Sequence, residues 1–310
     1  MKKLIIHPDE ITNVWINRLK EHNIEVLGIH SEGGTKAHEH LEDMIALCKT
    51  PAYRANIDKA RSMGLKIHYE LHAASYLLPR DLFDQKPEWF RMDENGNRVR
   101  EFNFCVSNPD ALQFVANRAE ELADNLYGTD DYFYLWMDDG VKNFCQCEKC
   151  KAFSPSDQQL MVMNAVLKKL KIKRPNAKIA YLAYYDAITP PAFTKPEAGI
   201  FVEYAPYKRD FTKPAKDMPN ADIQNISRLL DFFGREVATV LEYWYDNSLY
   251  SEYKKPPKLL KPHNDHVKAD IPFYEDLGFK HISSFACFLG PDYEQLHGEP
   301  DISAFATKGM

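Results

Sequence analysis

The sequence predicts an α/β fold, a single (β/α)8 TIM barrel, on three observations. Eight short apolar runs recur along the chain, most are followed by an amphipathic stretch at helical spacing, and no linker, internal repeat or low-complexity tract divides the 310 residues. A barrel of this kind takes about 250 residues, so one domain over residues 1–310 accommodates the chain.

The elements follow in order. Leu4 to His7 reads as the first strand, and Glu10 to His22 as a helix with Ile11, Val14, Trp15, Arg18 and Leu19 on one face. Glu25 to His30 is the second strand. Gly33-Gly34 breaks it, and Ala37 to Met63 is helical with an interruption at Thr50-Pro51. Gly64 stops that helix, and Leu65 to Leu71 forms the third strand. Ala73 to Phe104 has no clear period and is long for a βα loop, a length that in compact domains goes with function. Ser107-Asn108-Pro109-Asp110 supplies a cap and a first-turn proline for a helix to Tyr127. Tyr132 onward is the fourth strand, Ser156-Asp157 opens a helix through Lys171, and Lys178 to Tyr185 is the fifth strand. Gly199 to Tyr204 is the sixth, Asp222 to Phe233 a helix, and Ala238 to Tyr245 the seventh. A proline-rich connector, Pro256 to Lys261, leads to a helix over Asp270 to Leu277 and an eighth strand over Lys280 to Leu289.

Composition narrows the partners. With 45% apolar and 27% charged residues the chain is globular, and a net charge of −6 argues against a nucleic-acid binder, leaving a small or neutral molecule. MKKLIIHPDE holds too short an apolar run for a secretory signal, and no segment approaches the ~18 apolar residues of a membrane helix. A cytoplasmic, membrane-free protein is expected, or an exported one if a leader was removed. Six cysteines in 310 residues do not make a disulfide framework.

The chemistry of such barrels lies where the strands end at their carboxyl termini. There the sequence places Glu70 and His72, then Asp138 and Asp139, then Tyr184, Tyr185 and Asp186, then Glu203, Tyr204 and Tyr207, then Glu242, Tyr243, Trp244, Tyr245 and Asp246. Acids interleaved with aromatics suit a sugar, because rings stack on apolar pyranose faces and carboxylates accept hydroxyl hydrogen bonds. Glu70, His72, Tyr184, Tyr204, Glu242, Trp244 and Asp246 are therefore the expected substrate contacts. A phosphate site would need glycine-rich turns and cations, and none is evident. Metal-dependent hydrolysis through His68 and His72 is a third and poorer reading, since their spacing suits one helix face but they sit in a strand, where ligands would lie two residues apart. Asp138 and Asp139 stand where the apolar run YFYLWM stops and Gly140 frees the turn. Adjacent acids are too constrained to be the separate nucleophile and acid of a double displacement, whose carboxyls sit ~5–5.5 Å apart. They suit a mechanism in which the substrate's own 2-acetamido oxygen attacks, and no cofactor is needed for it.

Cys145, Cys147 and Cys150 follow in a C-x-C-x-x-C spacing on a loop with little apolar content. Cys105 precedes the helix leading into the fourth strand, so neighbouring βα units could bring it to the other three as a fourth thiol. A structural zinc, a disulfide between two of them, and free thiols are the three readings of that set.

Several of these segments resemble a known family. Pro87-Glu88-Trp89-Phe90, Asp93 to Arg98, Phe104 to Pro109, Asp138-Asp139-Gly140, Phe144 to Cys150, and Ser156-Asp157 with Asn164 recur in this order in the bacterial domain of unknown function 4838. Part of that family is classed as glycoside hydrolase family 163, endo-β-N-acetylglucosaminidases, and the paired acids also resemble those of hexosaminidase-like barrels. The resemblance implies that Asp138 orients and polarises the acetamido group and that Asp139, where several relatives carry glutamate, is the general acid. It implies a retaining hydrolase of β-N-acetylglucosaminide linkages; a glycan-binding barrel without catalysis is the alternative.

Overall fold

The computed structural model describes residues 1–306, so the last four positions of the expected domain lie outside the described residues. The eight strands are β1 (Lys2–Ile6), β2 (Val26–Ile29), β3 (Lys66–His72), β4 (Tyr132–Trp136), β5 (Lys178–Ala183), β6 (Ile200–Tyr204), β7 (Thr239–Glu242) and β8 (His281–Phe285). They close into a barrel in chain order, with parallel pairing. Almost every strand residue is buried, as the unbroken apolar runs require of a sheet covered on both faces.

Among the described residues eleven α-helices accompany them: α1 (Asn13–Glu21), α2 (Ala37–Cys48), α3 (Pro51–Ser62), α4 (Ala74–Leu77), α5 (Pro109–Asn125), α6 (Pro155–Lys173), α7 (Asn220–Phe233), α8 (Asn247–Tyr250), α9 (Asn264–Leu277), α10 (Pro291–His297) and α11 (Ser303–Ala306). Local chemistry sets their starts. Thr50 accepts the Tyr53 N–H at 3.3 Å and Pro51 occupies the first turn, which separates α2 from α3 where the sequence predicts a break. Asn108 caps α5 by accepting from the amides of Asp110 and Ala111. Among the described residues no helix is long and apolar enough to cross a membrane.

The boundaries differ from expectation at two kinds of place. α9 begins six residues earlier than Asp270 and runs through Pro272. β5, β7 and β8 stop at Ala183, Glu242 and Phe285 although their apolar runs continue, because the chain turns at Tyr185, Trp244 and Cys287; Tyr245 and Ala286 to Leu289 are buried beyond the strand ends, the Ala286 amide still donating to the Ile5 carbonyl at 2.7 Å. The aromatic residues that follow β5 and β7 consequently sit on turns.

Packing divides the chain into two units, Met1–His30 with Thr50–His68 and Glu203–Met310, and Ser31–Lys49 with Tyr69–Val202. In the first, β1 pairs with β2 and with β8, and β7 pairs with β6 and β8. It encloses a polar network. Glu242 accepts from the Tyr274 hydroxyl at 2.5 Å and pairs with Arg209 at 2.9 Å, while Asp270 pairs with Arg209 at 3.0 Å and accepts from the Trp244 indole at 3.1 Å. Burial raises both carboxyls above their ordinary range, and Arg209 opposes the shift.

Glu10 lies in the same unit and is 2% exposed, with its carboxylate accepting the amides of His7 at 2.9 Å and Gly290 at 3.1 Å. Burial pushes its pKa up to about 7 from 4.5. The folded value exceeds the unfolded one, so stability is unaffected below pH ~4.5 and falls as pH rises toward 7, where the unfolded chain ionises first. The full cost is on the order of 3 kcal/mol at 1.36 kcal/mol per pH unit. Urea unfolding of wild type and Glu10→Gln at acidic and neutral pH is expected to show the variant gaining on wild type between the two. Parallel stability curves would remove this account of Glu10.

Candidate functional site

The second unit carries the paired acids. β4 ends at Trp136, and the chain leaves it through Met137, Asp138, Asp139 and Gly140. Asp138 is held from four directions. Its Oδ1 accepts the Ser75 amide at 2.9 Å; its Oδ2 accepts the Ser75 hydroxyl at 2.6 Å, the Asn103 amide at 2.7 Å and Arg80 Nη2 at 3.0 Å. Asn103 closes a reciprocal pair, because its side-chain oxygen accepts the Asp138 amide at 2.9 Å and its amide nitrogen donates to the Asn143 carbonyl at 3.0 Å. Phe102 and Asn103 adopt left-handed backbone (φ 56° and 25°), a strained conformation that bends this loop onto the acid. Arg80 also donates to the carbonyls of Arg100 and Asn103, so one guanidinium ties the loop after β3 to the end of β4.

Asp139 has the opposite surroundings. It is half-buried, and its Oδ1 is shut off from solvent without a hydrogen-bond partner. Gly140 follows with φ 148°, where a Cβ would collide with the Asn143 amide, so the turn beyond the acids requires glycine. A recess opens here, lined by Asp138, Gly140, Phe144, Tyr184, Tyr185 and Asp186. Tyr184 and Tyr185 stand with ring centroids 4.1 Å apart, Tyr185 at φ 42°, and Asp186 accepts the Lys142 amide at 2.5 Å. Of the expected substrate contacts, Tyr184 is thus brought together with Asp138.

His72 belongs to the same unit without lining the recess. Its Nδ1 lies 2.7 Å from the Met137 carbonyl and its ring meets Trp136 edge-on at 5.1 Å. The ring fills the space beside Gly33, where a Cβ would approach it to 3.0 Å. Glu70 is fully enclosed, in register with Tyr134 on β4. Tyr204, Glu242, Trp244 and Asp246 lie in the first unit. Tyr204 is 3% exposed and stacks on Phe279 at 6.4 Å, and Glu242 and Trp244 are engaged by the Arg209 network. Asp246 caps α8, its Oδ1 accepting the amides of Ser248 and Leu249 at 3.1 and 3.2 Å. Their surroundings give these four residues structural partners, which the sequence rule that acids and aromatics at strand ends face a sugar does not foresee.

Sequence reasoning missed Ser75, Arg80 and Asn103. The available signal was the unusual length of the loop from Ala73 to Phe104, which contains all three; nothing in the local residue pattern singles out Arg80.

The four cysteines converge in this unit. Cys105, Cys145, Cys147 and Cys150 are buried with their Sγ atoms within 4.8 Å of one another, and none is disulfide-bonded. The Cys105 sulfur lies 3.7 Å from that of Cys147 and 3.8 Å from that of Cys150. The hydrogen bond with the Cys105 thiol raises the Cys145 thiol above its ordinary range.

The family described as "Domain of unknown function (DUF4838)" matches residues 39–288. The sequence matches no curated protein. Among solved structures, a cold-adapted β-galactosidase from Rahnella sp. R3 is similar with TM-score 0.55 and 12% identity, over 92% of this chain and 50% of that one. The cellulose synthase subunit Z of Clostridioides difficile has TM-score 0.51 and 13% identity, over 99% and 98% of the two chains. A GH18 chitinase from Pseudoalteromonas aurantia has TM-score 0.51 and 9% identity, over 92% and 93%. This chain spans about half the length of the β-galactosidase. At these identities the likeness is one of fold.

Proposed function

From the premise that the chain belongs to the DUF4838 family, we propose that it is a retaining glycoside hydrolase that cleaves β-N-acetylglucosaminide linkages in a glycan with assistance from the substrate's acetamido group. The observation that carries this reading is the contrast between the two adjacent acids. Asp138 is fixed by Ser75, Arg80 and Asn103, whereas the occluded Oδ1 of Asp139 has no partner. A buried carboxyl oxygen without a partner costs free energy that a substrate hydroxyl or glycosidic oxygen offsets.

In the proposed reaction protonated Asp139 gives its proton to the glycosidic oxygen as the C1–O bond breaks. The acetamido carbonyl oxygen forms the new bond to C1, giving an oxazolinium ion. Asp139, now a carboxylate, then takes a proton from water, which attacks C1 and reopens the ring with retained configuration. Asp138 Oδ1 accepts one protein hydrogen bond where a carboxylate oxygen accommodates about two, so one direction remains for the acetamido N–H. Tyr184 offers a ring face to the sugar beside it. The GH18 chitinase and the β-galactosidase lend support by showing that this fold hosts proteins named as glycosidases.

Incubation with aryl β-N-acetylglucosaminides and with N-glycans is expected to release new reducing ends, and thiazoline mimics of the oxazolinium ion are expected to inhibit far below substrate concentrations. A covalent sugar trapped on any enzyme carboxylate would sink acetamido assistance. Glycan binding with no turnover of any acetamido sugar would replace the hydrolase with a binding barrel.

A further inference from the structure

We propose that Cys105, Cys145, Cys147 and Cys150 form a closed structural zinc site that clamps the two loops holding Asp138. The argument begins with distance. A regular tetrahedron with Zn–S arms of ~2.3 Å has edges of about 3.8 Å. The sulfur separations of 3.7 and 3.8 Å from Cys105 match that edge, and all four sulfurs lie within 4.8 Å of one another. A disulfide needs ~2.05 Å between two sulfurs and leaves the other pair unexplained. Four sulfurs at these separations converge on one ion, and a four-cysteine tetrahedral set suits zinc.

The surroundings are those of metal-bound thiolates, which attract hydrogen-bond donors. The Met92 amide donates to Cys145 Sγ at 3.3 Å and Arg98 Nη1 lies 3.9 Å from the same sulfur; as a thiol Cys150 donates to the Ser107 hydroxyl at 3.1 Å, a contact that reverses once the sulfur is a thiolate, since the hydroxyl can also donate. Gln158 holds the loop from below: its Oε1 accepts the Cys145 amide at 3.1 Å, and its Nε2 donates to the carbonyls of Cys145 and Cys150 at 3.1 and 3.2 Å. Four thiolates on a divalent ion leave two net negative charges, and Arg98 stands beside them. Binding one zinc ion to four thiols forms four Zn–S bonds and releases four protons to water.

The site's position gives it a task. Cys105 lies two residues beyond Asn103, which brackets Asp138 through both its amide and its side chain. Cys145 lies two residues beyond Asn143, whose carbonyl accepts from Asn103. One ion bound to both segments therefore fixes the Asn103–Asn143 contact and, through it, the orientation of Asp138. The cysteines do not touch the acids, so theirs is a positioning role, and the assignment stands whichever reaction the barrel performs.

The test uses the whole chain purified without chelator. We expect about one equivalent of zinc by elemental mass spectrometry, released in step with modification of four thiols, and one equivalent of cobalt giving tetrahedral thiolate absorption in the stripped protein. Cys147→Ser should lose the metal, whereas Cys147→His should keep it, because three cysteines and one histidine are an ordinary zinc set. Hydrogen exchange at residues 102–105 and 138–146 should quicken on zinc removal while β1 and β2 stay protected; unchanged exchange there would overturn the clamp. Less than about half an equivalent of zinc with four freely titratable thiols, a disulfide in the native mass, or iron bound instead would each overturn the zinc assignment.

Discussion

Asp139→Asn is expected to lower kcat/KM on N-glycans by a factor on the order of 10²–10⁴, the range for loss of a general acid. The substitution keeps the side chain's shape and removes its proton, so the fold and the four hydrogen bonds to Asp138 stay as they are. The loss should depend on the leaving group. A phenol that departs readily needs little protonation, so dinitrophenyl β-N-acetylglucosaminide should lose less in its bond-breaking step than a glycan does. A small anion such as azide should then restore part of the second step on the activated substrate, with retained configuration in the glycosyl azide. Equal losses on good and poor leaving groups would move Asp139 out of the acid's role and into binding. Asp138→Asn serves as the contrast: it disturbs the Ser75, Arg80 and Asn103 contacts, so its effect should be accompanied by reduced stability, which that of Asp139→Asn should not be.

Much of the architecture was legible because the barrel depends on short-range signals. Apolar runs mark the strands, and Thr50-Pro51 and Asn108-Pro109 mark helix starts by the capping chemistry of two or three neighbouring residues. The paired acids and the glycine that turns the chain after them were legible for the same reason. Strand ends were less so, since residues such as Tyr245 and Leu289 are apolar for packing beneath turns and carry no mark that the sheet has ended. The surroundings of the acids were not legible at all. Which carboxyl of Asp138 and Asp139 is saturated depends on Arg80 and Asn103, 58 and 35 residues away along the chain. Likewise Glu242 and Trp244 look like sugar contacts in the sequence, and only the three-dimensional approach of Arg209 and Asp270 shows that they have partners already. The cysteines were an intermediate case: C-x-C-x-x-C announced a cluster, while the fourth member became definite only when the helix-start loop brought Cys105 to 3.7 Å from Cys147.

The second large effect is expected at Arg80. Its side chain is 13% exposed and that of Asp138 only 1%, so the ion pair between them at 3.0 Å is shielded from water. Arg80→Met keeps most of the apolar stem and leaves a buried carboxylate without its counter-charge, an imbalance that costs about 3–5 kcal/mol in comparable sites. The same change frees the carbonyls of Arg100 and Asn103, which adds unsatisfied acceptors to the loop. Urea unfolding should therefore show a lower midpoint at an unchanged slope, and the loss should be partly recovered by Asp138→Asn in the same chain. That recovery is the decisive measurement, because a simple loss of packing at Arg80 would add to the effect of Asp138→Asn, whereas an uncompensated charge disappears with it. A loss below about 1 kcal/mol would mean that the pair is solvated like a surface salt bridge. The hold on Asp138 would then rest on Ser75 and Asn103, whose amides donate at 2.9 and 2.7 Å without needing the guanidinium.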